Sequence, residues 1–110
     1  MTTEQKDIIV ILVTTSGLEE ARKIATAVLT ARHAACVTIV PSVRSMYWWE
    51  GKITQEDESL LAIKTTANQY GPIEKAIKEL HSCKVPEILA LSVKDGLPQY
   101  VEWIMREVSS

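Results

Sequence analysis

A chain of 110 residues, 46% hydrophobic and 24% charged, is sized for one domain spanning 1–110 that builds a core without disulfide or metal staples. Its net charge of −2 offers no basic excess for a phosphate backbone, which argues against a nucleic-acid partner. Cys36 and Cys83 stand far apart with no C-x-x-C clip, so reduced thiols are expected rather than a disulfide framework or a zinc knuckle.

The start, Met1 to Asp7, is polar where a secretory signal needs an apolar run, and the apolar stretch Ile8 to Val13 is too short to cross a bilayer. A cytoplasmic protein with no membrane partner is therefore expected. Ile8 to Val13 itself reads as a central strand covered on both faces. Ser16-Gly-Leu-Glu19 has the form of a capping box, and Leu18, Ala21, Ala25, Val28 and Leu29 at helical spacing predict a first helix to about Arg32. From Cys36 an extended stretch begins in which Val37, Ile39, Val43, Tyr47 and Trp49 share one parity, and Glu50-Gly51-Lys52 supplies a reversal. Leu60 to Thr65 pairs back, while Thr54 to Ser59 either extends the hairpin as an exposed arm or loops out. Pro72 in a first turn, with the stripe Tyr70, Ile73, Ile77 and Leu80, predicts a second helix ending near His81. Glu87 to Val93, between Pro86 and Asp95-Gly96, reads as a short buried strand. A third helix follows with Leu97, Tyr100, Val101, Ile104 and Val108 on one side.

The order β-α-β-β-α-β plus a terminal helix predicts an α+β, ferredoxin-like sandwich, in which two right-handed crossovers place both helices on one face of an antiparallel sheet. Apolar residues on both parities of the strands leave the other face too apolar for exposure. A second copy of the chain covers it, or the C-terminal helix folds under it. Among the polar residues, His81 suits a helix-end cap, Lys64 and Glu87 suit strand-end charges, and Tyr47, Trp48 and Trp49 suit an interface. Cys36 reads as a small core residue with no cation near it in sequence.

Ala34-Ala-Cys-Val, Pro41 and Ser45-Met-Tyr-Trp-Trp-Glu-Gly-Lys-Ile53 together resemble the signature of the CutA divalent-ion tolerance family. Glu58 to Thr65, Leu80-His81, Val85-Pro-Glu-Ile88 and Tyr100-Val-Glu-Trp103 extend the resemblance over nearly the whole chain. It implies a homotrimer similar to the PII signalling proteins, joined by β-edge pairing, with the hairpin through Glu50-Gly51-Lys52 reaching a neighbour. It also implies an intersubunit ligand cleft lined by Tyr47, Trp49, Lys64, His81 and Glu87, open to a divalent metal or a small anion.

Where the family usually reads L-H-P-Y-E-V-P-E, the chain has Leu80-His-Ser-Cys-Lys-Val-Pro-Glu87, and two places regarded as copper ligands in some relatives hold Val13 and Leu80. No cofactor is required; a loosely held Cu²⁺ on His81, with help from Cys83, is the most that coordination chemistry supports. The chain lacks a Ser-His-Asp order, a glycine-rich phosphate loop and an HExxH pair, so a metal-linked or signalling-like scaffold and a small-ligand sensor both stand ahead of an enzyme.

Overall fold

The computed structural model describes residues 7–109; the polar Met1–Lys6 stretch, on which the expectation of no secretory signal rests, lies outside them. Strands β1 (Ile8–Thr15), β2 (Cys36–Trp49), β3 (Lys52–Thr66) and β4 (Ile88–Ser92) alternate with helices α1 (Leu18–Thr30) and α2 (Tyr70–Leu80), and α3 (Pro98–Glu107) follows. The sheet order is β2-β3-β1-β4 with every pair antiparallel, which is the ferredoxin-like arrangement the element order predicts. Thr54 to Ser59 is strand, so the hairpin is a continuous arm, and it stretches the molecule to 49 × 26 × 22 Å.

Pleating sorts the strand residues by face. Ile9, Ile11 and Val13 of β1, with Leu61 and Ile63 of β3, are buried under Ala21, Ile24, Ala25 and Val28 of α1 and Ile73 and Ile77 of α2. Ile24, absent from the expected helix stripe, is fully buried, whereas Leu29 and Leu80 at the stripe's ends are exposed. On the opposite face Ile8 alone of β1 is sealed, by Val101, Ile104 and Val108 of α3. Of the two ways of covering that face, the C-terminal helix takes one corner only, and Val40, Leu89 and Leu91 stay 40%, 56% and 51% exposed. Leu97 and Tyr100, expected on the packed side of α3, are also exposed; Leu97 is the extended cap residue ahead of the helix.

Local chemistry sets the element ends. Helix α1 stops at Thr30, short of Arg32, because Arg32 enters the left-handed region at φ 62°. His33 N–H then bonds the Val28 carbonyl and Arg32 N–H that of Leu29, a Schellman closure with arginine in the place glycine usually takes. At the start of α1 the expected capping box is displaced by one residue: Ser16 N–H donates to Glu20 Oε1 at 3.0 Å, and no side chain caps the helix. In the arm, Glu50 and Gly51 both have positive φ, 50° and 79°, the mark of a two-residue type I′ turn between Trp49 and Lys52.

A bulge overturns the expected parity of β2. Val40 pairs with Leu60 but Val43 pairs with Glu58, so Pro41 and Ser42 together oppose Ser59. Proline has no N–H to give the ladder, and the buried Ser59 hydroxyl donates to the Pro41 carbonyl at 2.7 Å instead. Beyond the bulge, odd and even positions exchange faces. Val37 and Ile39 pack on the helix side, while Tyr47 and Trp49 point with Thr54, Glu56 and Glu58 to the open side.

Candidate functional site

The open face of the arm faces the segment that follows α2. Between them lies a cleft of about 830 Å³, walled on the arm by Tyr47, Trp49, Glu56 and Glu58, with Thr14, His81, Cys83 and Glu87 across from it. Four of the five residues expected in a ligand cleft, Tyr47, Trp49, His81 and Glu87, thus meet within one chain.

Lys64 is the exception. It pairs with Val10, whereas the cleft lies at Thr14, four residues and about 13 Å further along the sheet. There its ammonium group donates to the Thr38 hydroxyl and stands 3.9 Å from Cys36 Sγ. Sequence proximity gives no hint of that cation beside Cys36; the β2–β3 register, which pairs Cys36 with Lys64, does. The Tyr100 hydroxyl completes the group, its pKa raised by burial and by the nearby Cys36.

His81 ends α2 with its side chain only 3% exposed. Its Nδ1 accepts from Cys83 N–H at 3.0 Å, which leaves Nε2 to carry the proton and donate to the Thr14 carbonyl at 2.7 Å. Glu20 Oε1, 3.8 Å from Nε2, is too far to share that proton. Burial opposes ionisation of Glu20, but N–H bonds from Ser16 and Ser82, a side-chain bond from Ser82 and the nearby His81 outweigh it and lower its pKa. His81 and Glu20 together fasten the Ser82–Cys83 segment to the end of β1 and the start of α1.

This network bears on metal. A Cu²⁺ ion at His81 needs a free ring lone pair, and Nδ1 gives its own to Cys83 while Nε2 carries a hydrogen. The His81–Cys83 pair does not fit the ion without first breaking one of those bonds. Among the described residues, no three His, Cys, Asp or Glu side chains converge to hold an ion elsewhere.

Across the cleft Tyr47 donates its hydroxyl to Glu56, which raises the phenol pKa to about 12. The charged groups lining the cleft are the carboxylates Glu56, Glu58 and Glu87, with no Lys or Arg among its walls. A small anion, one of the expected ligands, meets the wrong sign of charge here. Nothing in the sequence marks Glu56 and Glu58 for the site, because their polar stretch is equally readable as a loop.

The description of the CutA1 divalent ion tolerance protein family matches residues 9–107. The chain belongs to that family. A divalent-cation tolerance protein CutA from Thermus thermophilus is 41% identical over 95 residues, covering 86% of this chain and 92% of the relative. The chloroplastic Protein CutA 1 of Oryza sativa is 40% identical over 96 residues, 87% of this chain; the match spans about half of that longer relative, 54%. The crystal structure of CutA1 from Oryza sativa superposes with a TM-score of 0.91 at 36% identity, over 96% of this chain and 97% of that one. Within the CutA1 family, then, the arm and the cleft beside it sit on a fold the chain shares almost end to end.

Proposed function

We propose that the protein acts in divalent-cation tolerance as a homotrimeric, metal-linked scaffold that catalyses no reaction. Membership of the CutA1 family, over residues 9–107, is the observation that carries the role. Relatives from bacteria and plants bear the tolerance name or the CutA name, and the chloroplastic one in Oryza sativa indicates that the fold serves more than one compartment. Here a cytoplasmic site of action is proposed; among the described residues no helix is long and apolar enough to cross a membrane.

Assembly is supported by what one chain leaves uncovered. Met46, Trp48 and Ile53 on the outer face of the arm are 62%, 73% and 60% exposed, and Leu89 and Leu91 lie bare on edge strand β4. Aromatic and apolar surface of this extent on a projecting hairpin suits contact with a neighbouring copy. Any Cu²⁺ is held loosely, since His81 has no lone pair to spare. The cleft beside the arm supports a second reading, a PII-like sensor of a small ligand.

Two measurements test the proposal. Light scattering behind size exclusion should give three times 12.3 kDa, and a stable monomer at micromolar concentration would end the trimer. Cells lacking the gene should grow worse than the parent on raised Cu²⁺ or Zn²⁺ and recover with the native gene; equal growth across the metal series would end the tolerance role.

A further inference from the structure

The carboxylates of the cleft are distributed rather than convergent. Glu56 and Glu58 project from the same face of β3, two residues and about 7 Å apart along the strand, and Glu87 stands on the opposite wall ahead of β4. A hard dication gathers six or more oxygens around one point, and nothing in this spacing does that. An extended cation with several charged centres fits it instead. Between the charges the walls are apolar or aromatic: Tyr47, Trp49, Val85 and Pro86. Trp49 is 62% exposed and Val85 88%, so these surfaces are open to a ligand rather than engaged in the core.

No Lys or Arg lines the cleft, although Lys52 shares the open face of β3 at the arm's tip and Lys84 lies between the lining residues Cys83 and Val85. Arg44, the nearest arginine on β2, points to the other face of the arm and is paired with Asp57 at 3.1 Å. Both ring nitrogens of His81 are engaged, by Cys83 and Thr14. Lys64 lies at the far end of the sheet beside Thr38. A volume of about 830 Å³ accommodates a flexible organic molecule of modest size.

We propose that this cleft binds a linear aliphatic polyamine, with its ammonium groups on Glu56, Glu58 and Glu87 and its methylene chain along Tyr47 and Trp49. Carboxylates supply charge-assisted hydrogen bonds, and the aromatic rings add cation–π attraction while covering the apolar spacers. Polyamine binding here rests on the small-ligand reading of the cleft and is separate from metal tolerance, because neither His81 nor Cys83 serves as a ligand.

Isothermal titration of the native assembled protein with spermidine tests it, at near-physiological salt so that loose surface pairing is screened. Saturable binding, one molecule per chain, is expected. Glu58→Gln and Glu87→Gln should each weaken it about tenfold, and Trp49→Ala about threefold, with circular dichroism confirming the fold. Glu102→Gln on α3, outside the cleft, should leave it unchanged. Three results would overturn the proposal: no saturable binding, binding indifferent to the cleft variants, or displacement of spermidine by an equal concentration of Mg²⁺, which would mark mere charge screening.

Discussion

His81→Leu separates the structural role of this histidine from any role as a ligand. Leucine roughly keeps the side-chain volume but removes both ring nitrogens, so cavity formation contributes little. The two lost hydrogen bonds differ in weight. Cys83 is exposed, and its N–H can turn to water at small cost. The Thr14 oxygen is partly buried under a side chain that is 3% exposed, and loss of its donor costs about 1–3 kcal/mol. Glu20 keeps its bonds from Ser16 and Ser82 and adds nothing to the difference. The expected loss is therefore about 2 kcal/mol, a large part of the ~5–15 kcal/mol that holds a domain folded. Urea denaturation measures it, at one chain concentration for both proteins because assembly makes the midpoint concentration-dependent. A loss under about 0.5 kcal/mol, with the m-value unchanged, would refute the tether. Copper titration of the same two samples should find equal, weak binding; a tight native site lost in His81→Leu would show that the ring gives up a hydrogen bond to metal after all.

Trp48→Glu, a charge on the most exposed aromatic of the arm's outer face, should dissociate the trimer without unfolding the chain, seen as a fall in mass by light scattering alongside unchanged circular dichroism. None of the protein's three tyrosines should ionise at the ordinary value of 10: Tyr47 is held at about 12 by Glu56, Tyr70 is raised by burial and Glu74, and Tyr100 by burial and Cys36. Absorbance at the phenolate band follows this, and Glu56→Gln should return one tyrosine toward 10. Glu20, with its pKa lowered, stabilises the fold above the ordinary carboxylate value of 4.5 and loses that contribution as pH falls through its lowered value, so the stability of Glu20→Gln should decline less steeply in that acid window. Glu50→Asn should raise stability by about 0.5–1 kcal/mol, because asparagine tolerates the positive φ of the turn better than glutamate; a loss on thermal melting would contradict the turn assignment.

Most of the architecture was legible because its causes are local or periodic. The continuous apolar run of β1, the stripe of Ile73 and Ile77, and the Glu50-Gly51 turn each announce their element without help from the rest of the chain. What escaped depends on register or on contacts between distant segments. The Val40/Val43 bulge leaves no period to read, so parity alone puts Tyr47 and Trp49 on the face of Val37. The meeting of Lys64 with Cys36 follows from strand pairing, and the bonds from His81 to Thr14 and from Glu20 to Ser82 join residues more than sixty positions apart. Of the cleft, the aromatic wall, His81 and Glu87 were visible through the family resemblance, whereas Glu56 and Glu58 lay in a stretch whose polar composition hid its strand.

The surplus residue in β2 reconciles two demands that one ladder cannot meet. In the body of the sheet Val37 must face Ile63 and Ile39 must face Leu61, or both leave the core. Carried unchanged to the tip, that pairing would set Trp49 opposite Gly51 and leave Glu50 alone to reverse the chain, which is too tight for a hairpin. A shift of one at Pro41–Ser42 restores a two-residue turn while the core alignment stands. Because a bulge also bends its strand, the same residue inclines the arm that forms one wall of the cleft. Deleting Ser42 would keep Val43 on Glu58 and the turn on Glu50-Gly51, yet straighten the hairpin. The width of the cleft is thereby adjustable by backbone length alone, independently of the side chains that give it its chemistry.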